Sequence, residues 1–128
     1  MEFHHIGVAT DDLDELAERY RTIFDLEVVH EETLEQLRVA FIALEDGYLE
    51  LLEPLGDSGP IANYLENADT AMHHVAFGVS DIESAIDRAV DAGVRPIDET
   101  PRPGAWGHEV AFLNPSDTGG MLVEFVQD

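Results

Sequence analysis

The sequence predicts an α+β fold of two tandem βαβββ modules, whose eight strands form an open, barrel-like sheet around a cleft. Three observations carry this. The phrase His4-His5-Ile6-Gly7-Val8-Ala9 returns as His73-His74-Val75-Ala76-Phe77-Gly78 after 69 positions, and repetition at a fixed offset marks a duplicated supersecondary unit. Each copy is followed by a stretch with helical periodicity. Each half then closes on an apolar strand that holds one glutamate, Glu50 in the first and Glu124 in the second.

Element by element, residues 3–9 alternate and run into Thr10-Asp11-Asp12, a strand followed by a helix N-terminus. Leu13, Leu16, Ala17, Tyr20 and Phe24 recur at helical spacing and give an acidic helix one apolar face. Residues 26–31, 37–44 and 48–54 read as three strands, with Glu45-Asp46-Gly47 turning the chain between the last two. The second half repeats the order. Residues 72–79 are a strand, and Ser80 with Glu83 makes a capping box. Ile82, Ala85, Ile86 and Ala89 line a helix that Gly93 ends. Residues 94–99, 108–114 and 121–127 supply three more strands, the last preceded by a turn over Pro115–Gly120. A Gly/Pro-rich link, Gly56–Pro60, and a short helix through Ile61–Leu65 join the halves. The expectation is a single domain over 1–128, with module 1 at 1–56, a link at 57–69 and module 2 at 70–128.

Composition narrows the function classes. The chain has 28 acidic and six basic residues, a formal net charge of −22, and no lysine. Ordinary nucleic-acid binding needs a basic face and is disfavoured, so no nucleic-acid partner is expected. The acids are scattered rather than gathered into a tail, the pattern of a solvated surface suited to high salt, as in halophilic proteins. No apolar run approaches the length of a membrane span and no signal peptide opens the chain, so a soluble cytoplasmic protein is expected. Cysteine is absent, so any metal must sit on nitrogen and oxygen.

Strand alternation then selects among the histidines, because neighbours point to opposite faces. His5 shares its face with Phe3, Gly7 and Ala9, and His74 shares its face with Met72, Ala76 and Gly78. The small residues leave room beside both rings. His4 and His73 fall on the other face with Ile6 and Val8, or Val75 and Phe77, and are assigned to packing against the helices. Glu50 and Glu124 sit in mid-strand among large apolar residues, where an unpaired carboxylate would cost several kcal/mol, so each requires a cation or several donors. Glu53 lies opposite Glu50 and is expected at the surface. Together His5, Glu50, His74 and Glu124 read as one metal site in the cleft, with two octahedral positions left for substrate or water. The donor set suits Co²⁺, Mn²⁺, Ni²⁺, Fe²⁺ or Zn²⁺. Such a centre fits Lewis-acid polarisation of a carbonyl and removal of the adjacent proton. No serine stands in a nucleophile elbow, and phosphate-cradling glycine loops are missing. The loop Pro101–Gly107 is a candidate substrate rim.

These residues resemble the vicinal oxygen chelate superfamily and, within it, the methylmalonyl-CoA epimerase family. The resemblance runs over residues 3–20, 48–66, 72–99 and 102–128, and its specific stretches are ELLEPLG-x-SGPIA and FLNPSDTGGMLVE. It implies His5, Glu50, His74 and Glu124 as ligands of one divalent ion, Co²⁺ first among the candidates. It also implies Glu124 as the candidate base, an acyl-CoA substrate, a homodimer, and interconversion of (2R)- and (2S)-methylmalonyl-CoA. One feature departs from the family: some members carry a further glutamate after an EQ-rich turn, whereas here Glu35-Gln36 leads into Leu37–Ile42 without a carboxylate. Two competing readings are a glyoxalase-type lyase or ring-cleaving dioxygenase on the same scaffold, and a metal-free ligand-binding module. A dioxygenase generally uses two histidines and one carboxylate; the second glutamate argues against it, and a binding module needs none of the four.

Overall fold

Both repeated phrases form strands, as their alternation predicts. The computed structural model describes residues 1–128, an α+β chain of eight strands and three α-helices. In chain order these are β1 (Glu2–Thr10), α1 (Leu13–Phe24), β2 (Val28–Leu34), β3 (Leu37–Leu44), β4 (Gly47–Pro54) and α2 (Pro60–Tyr64), followed by β5 (Thr70–Gly78), α3 (Ile82–Asp91), β6 (Arg102–Pro103), β7 (Glu109–Leu113) and β8 (Val123–Gln127). No helix is long and apolar enough to cross a membrane. The residues fall into two compact units, one of residues 6–73 and one of residues 1–5 with 74–128. The division cuts through both repeated phrases.

In the unit of residues 6–73 the strand order is β2-β3-β4-β1. The two hairpins close on two-residue turns, with Leu34 paired to Leu37 and Leu44 to Gly47. The first turn places Glu35 in the left-handed region at φ 58°. Helix α1 begins where Asp12 accepts the N–H of Glu15, and Asp14 and Glu15 lie in its first turn, where the helix dipole favours acids. Its Leu13 joins Val8, Ala40, Ile42 and Leu51 in the core, with Leu16, Ala17 and Tyr20 packed beside them. Each fully buried aliphatic side chain of this kind contributes about 1.5–3 kcal/mol. Phe24 departs from the expected apolar face. It is 57% exposed, because the helix stops there and Asp25 turns away at φ 58°. Glu53 departs as well: its carboxylate accepts the N–H of Leu13 at 3.3 Å and lies 3.7 Å from Arg38, so it is half-buried rather than at the surface.

In the unit of residues 1–5 and 74–128 the strand order is β1-β5-β8-β7-β6. Strands β5 and β8 run parallel, and β8 pairs antiparallel with β7. Helix α3 covers one face of this sheet. Its Ile82, Ile86 and Ala89 pack on Ala111, Leu113, Val123 and Phe125. The cap is Asp81, which accepts the N–H of Ser84, and not the Ser80/Glu83 box; both residues can cap, and the helix starts one residue later than the box requires. Gly93 follows the helix at φ 90°, a conformation that favours glycine. The strand expected over residues 94–99 is absent, leaving a single bridge from Pro96 to Leu113. That bridge keeps both its backbone bonds, Ile97 N–H to the Phe112 carbonyl and Asn114 N–H to the Arg95 carbonyl, each at 2.8 Å, and neither needs the N–H that Pro96 lacks. The ladder stops beyond it because the carboxylate of Asp98 takes the N–H of Phe112 at 2.9 Å in place of a backbone carbonyl. The sixth strand is instead Arg102–Pro103, against Val110 and Glu109.

Candidate metal centre

Strand register brings three of the four expected ligands together within one unit. Ala76 of β5 lies beside Glu124 of β8, and His74 is two residues before Ala76, on the same face of the pleat. The carboxylate is therefore one pleat from the imidazole. His5, on the neighbouring strand β1, completes the group. His5 Nε2 stands 3.0 Å from His74 Nε2 and 3.1 Å from Glu124 Oε1, and His74 Nε2 stands 3.3 Å from the same oxygen. The two rings are nearly perpendicular, at 84°. All three residues are buried, with 2%, 6% and 6% exposure for His5, His74 and Glu124.

These distances test whether the group suits an ion. Bonds of ~2.1 Å to nitrogen and oxygen place neighbouring ligand atoms about 3.0 Å apart in an octahedron and about 3.4 Å apart in a tetrahedron. The triangle of 3.0, 3.1 and 3.3 Å lies inside that window. Two imidazole nitrogens and a carboxylate oxygen, buried and converging, fit a divalent transition metal. Glu50, the fourth expected ligand, belongs to the unit of residues 6–73. It is buried in mid-β4, 7% exposed, with Phe41 opposite it in the ladder.

The surroundings differ from expectation in two ways. Ala76 leaves no empty space beside His74: it is fully buried and packs against Val110 and Val126. A small residue is needed so that these valines can support the face carrying His74 and Glu124. Gly104 is needed for a similar reason, since a Cβ there would meet Val110 Cγ1 at 2.7 Å. Secondly, alternation assigns His4 to helix packing, yet its Nδ1 lies 2.7 Å from His5 Nδ1. His4 also approaches Asp128 and His108, and these three form a second potential metal group. Burial, with the charges of His5 and His108 adding to it, holds His4 below the ordinary histidine pKa. Neither His108 nor Asp128 stood out in the sequence, because a lone histidine after glycine and a terminal aspartate carry no pattern. His73 does behave structurally, meeting the ring of Tyr64 edge-on at 4.8 Å.

The rim has its own order. His74 meets Phe112 edge-on, with centroids 5.5 Å apart, and the guanidinium of Arg102 lies 5.5 Å above the Phe112 ring. Residues Pro101–Gly104 and Gly107–Glu109 line a cavity of about 290 Å³, a volume near that of small ligand pockets.

Comparison with known proteins decides the family. The profile of the Glyoxalase/Bleomycin resistance protein/Dioxygenase superfamily matches residues 4–112. Mitochondrial methylmalonyl-CoA epimerase of Dictyostelium discoideum is 37% identical over 128 residues, covering 96% of this chain and 76% of that protein. Ethylmalonyl-CoA/methylmalonyl-CoA epimerase of Cereibacter sphaeroides is 40% identical, covering 97% and 96% respectively. The chain belongs to the methylmalonyl-CoA epimerase family. A solved Streptomyces coelicolor methylmalonyl-CoA epimerase variant, in complex with 2-nitronate-propionyl-CoA, is similar over 100% of this chain and 94% of that one, with a TM-score of 0.96 and 34% identity. A methylmalonyl-CoA epimerase in complex with methylmalonyl-CoA and NH4⁺ has a TM-score of 0.95 at 35% identity, over 99% and 94% of the two chains.

Proposed function

We propose that this chain is an epimerase that interconverts the (2R) and (2S) forms of methylmalonyl-CoA, with His5, Glu50, His74 and Glu124 holding one divalent ion. The observation that carries the reading is the buried triangle of His5, His74 and Glu124, in a chain whose relatives are named for this substrate. When bound, the ion supplies Lewis-acid stabilisation of negative charge on the substrate's carbonyl oxygens. Co²⁺ leads the set of Co²⁺, Mn²⁺, Ni²⁺, Fe²⁺ and Zn²⁺, all of which accept nitrogen and oxygen donors.

The remaining chemistry belongs to the protein. The C2 hydrogen of the substrate lies between a thioester and a carboxylate, so its loss leaves charge that both groups share. Glu124 takes that proton, acting as base as well as ligand. Its burial keeps water from the reacting carbon. Reprotonation on the opposite face inverts the centre, and its acid is not a carboxylate of Leu37–Ile42, which has none. Arg102 serves the anionic part of the substrate: its guanidinium, held by Asp98 at 3.0 Å, stands above Phe112, whose ring in turn meets His74, and the residue lines the 101–109 cavity. The protein is further proposed to act as a single domain and to pair as a homodimer, which light scattering checks.

The test is exchange of the C2 proton of methylmalonyl-CoA for deuterium with purified, metal-loaded protein. Exchange above the uncatalysed rate that vanishes in the His5→Ala/His74→Ala double variant supports the reading. No exchange with metal-saturated wild type overturns it.

A further inference from the structure

We propose that His4 is a positioning residue that fixes the ring and tautomer of His5, through a hydrogen-bonded line ending at Asp128; this rests on the metal-site reading above. His4 Nδ1 and His5 Nδ1 stand 2.7 Å apart, so one of them carries a hydrogen and the other accepts it. For His5 Nε2 to offer its lone pair to an ion beside His74 Nε2 and Glu124 Oε1, a neutral His5 must carry its hydrogen on Nδ1. His4 Nδ1 is then the acceptor and the His4 hydrogen sits on Nε2. That nitrogen faces Asp128 Oδ1 at 3.5 Å. His108 Nε2 reaches the same oxygen at 2.9 Å, and the rings of His4 and His108 stand edge to face with centroids 5.0 Å apart. Every donor in this line meets an acceptor.

The reverse arrangement puts the hydrogen on His4 Nδ1 and frees His4 Nε2 for an ion held with His108 and Asp128. His5 must then accept at Nδ1 and carry its hydrogen on Nε2, which removes it from the buried triangle. With neutral rings the two groups are alternatives set by one proton. Burial favours the first, since His5, His74 and Glu124 are all buried, while the side chain of Asp128 is 78% exposed and water can satisfy it. A ligating histidine whose second N–H is held by a partner binds metal some 10–100-fold more tightly than one whose partner is removed.

The experiment measures Co²⁺ affinity by chelator competition for wild type, His4→Leu, His4→Gln and His5→Ala/His74→Ala, with thermal melts of each metal-free protein. Leucine cannot accept the His5 hydrogen, whereas the glutamine carbonyl oxygen can. The expected result is 10–100-fold weaker binding in His4→Leu, recovery of most of that loss in His4→Gln, and metal-free melts for the two that agree. ¹⁵N spectra of the Zn²⁺-loaded wild type should show His5 protonated at Nδ1 and bound through Nε2. Unchanged Co²⁺ affinity in His4→Leu, with binding lost in the double variant, overturns the role of His4 alone. Binding that survives the double variant, or Zn²⁺ shifts at His4 and His108 with none at His5 and His74, overturns the site reading together with it. If His4→Leu fails to fold, the ¹⁵N assignment decides: a hydrogen on His5 Nε2 in the loaded protein refutes the proposal.

Discussion

Replacing Glu124 by glutamine separates the two roles proposed for it. The change keeps side-chain length and one oxygen, and removes the charge and the basicity. Glu124 is 6% exposed, and its Oε1 lies 3.1 and 3.3 Å from two imidazole nitrogens, so the amide meets the same close neighbours without displacing them. Two losses are expected. The first is weaker metal binding, because a neutral amide replaces an anionic donor, and excess metal reverses it. The second is loss of the base, which persists at metal saturation. General-base catalysis contributes roughly 10²–10⁴-fold, which is about 3–6 kcal/mol of barrier at ~1.4 kcal/mol per decade. The assay is C2 deuterium exchange at several metal concentrations, with bound metal measured in parallel and Glu50→Gln as control. Glu124→Gln should lose 10²–10⁴-fold at saturation and Glu50→Gln should recover nearly fully. Equal losses in both variants that added metal abolishes would make Glu124 a ligand only and place the base elsewhere.

Other outcomes follow from charge and packing. With a formal net charge of −22, self-repulsion weakens the fold in dilute buffer, and KCl up to molar concentration should raise the melting temperature; a melt that is flat or falls with salt refutes the halophilic reading. Asp98→Ala removes the acceptor for the Phe112 N–H and should cost about 1–3 kcal/mol in urea unfolding. Ile86→Ala hollows the cluster beneath α3 and should cost about 2–5 kcal/mol in the same assay. A change in Ile86→Ala below 1 kcal/mol would show that neighbouring side chains collapse into the space.

What could be read in advance tracks where the physics is local or repeated. Seven of the eight strands followed from alternation, and His5, His74 and Glu124 from duplicated chemistry, because a polar residue returning at the same place in an apolar strand needs a reason. Residues 94–99 look β-prone, yet their ladder stops after the one bridge at Pro96, where the Asp98 carboxylate takes the Phe112 N–H that a further strand residue would have needed. Ser80 misled because Asp81 beside it caps equally well. His4 is less legible still. Alternation fixes where a Cβ points, but a histidine ring reaches well beyond its Cβ, and two neighbouring rings can meet despite starting on opposite faces. The link from His4 to His108 and Asp128 joins residues far apart in sequence, and nothing in either stretch announces it.

The division of the chain bears on biosynthesis. Residues 1–5 belong with 74–128, and the buried triangle draws on residue 5 and residue 124. The ribosome makes the histidine at one corner 119 residues before the glutamate at another (124 − 5). Residues 6–73 can gather their own core while still tethered, but residues 1–5 must wait for β5, which lies beside them in the sheet, and the triangle must wait for β8. Such distant closure is slow relative to hairpin and helix formation. On the proposed metal-site reading, capture of the ion then waits for β8: a nascent chain without it has two imidazoles and no Glu124 carboxylate between them.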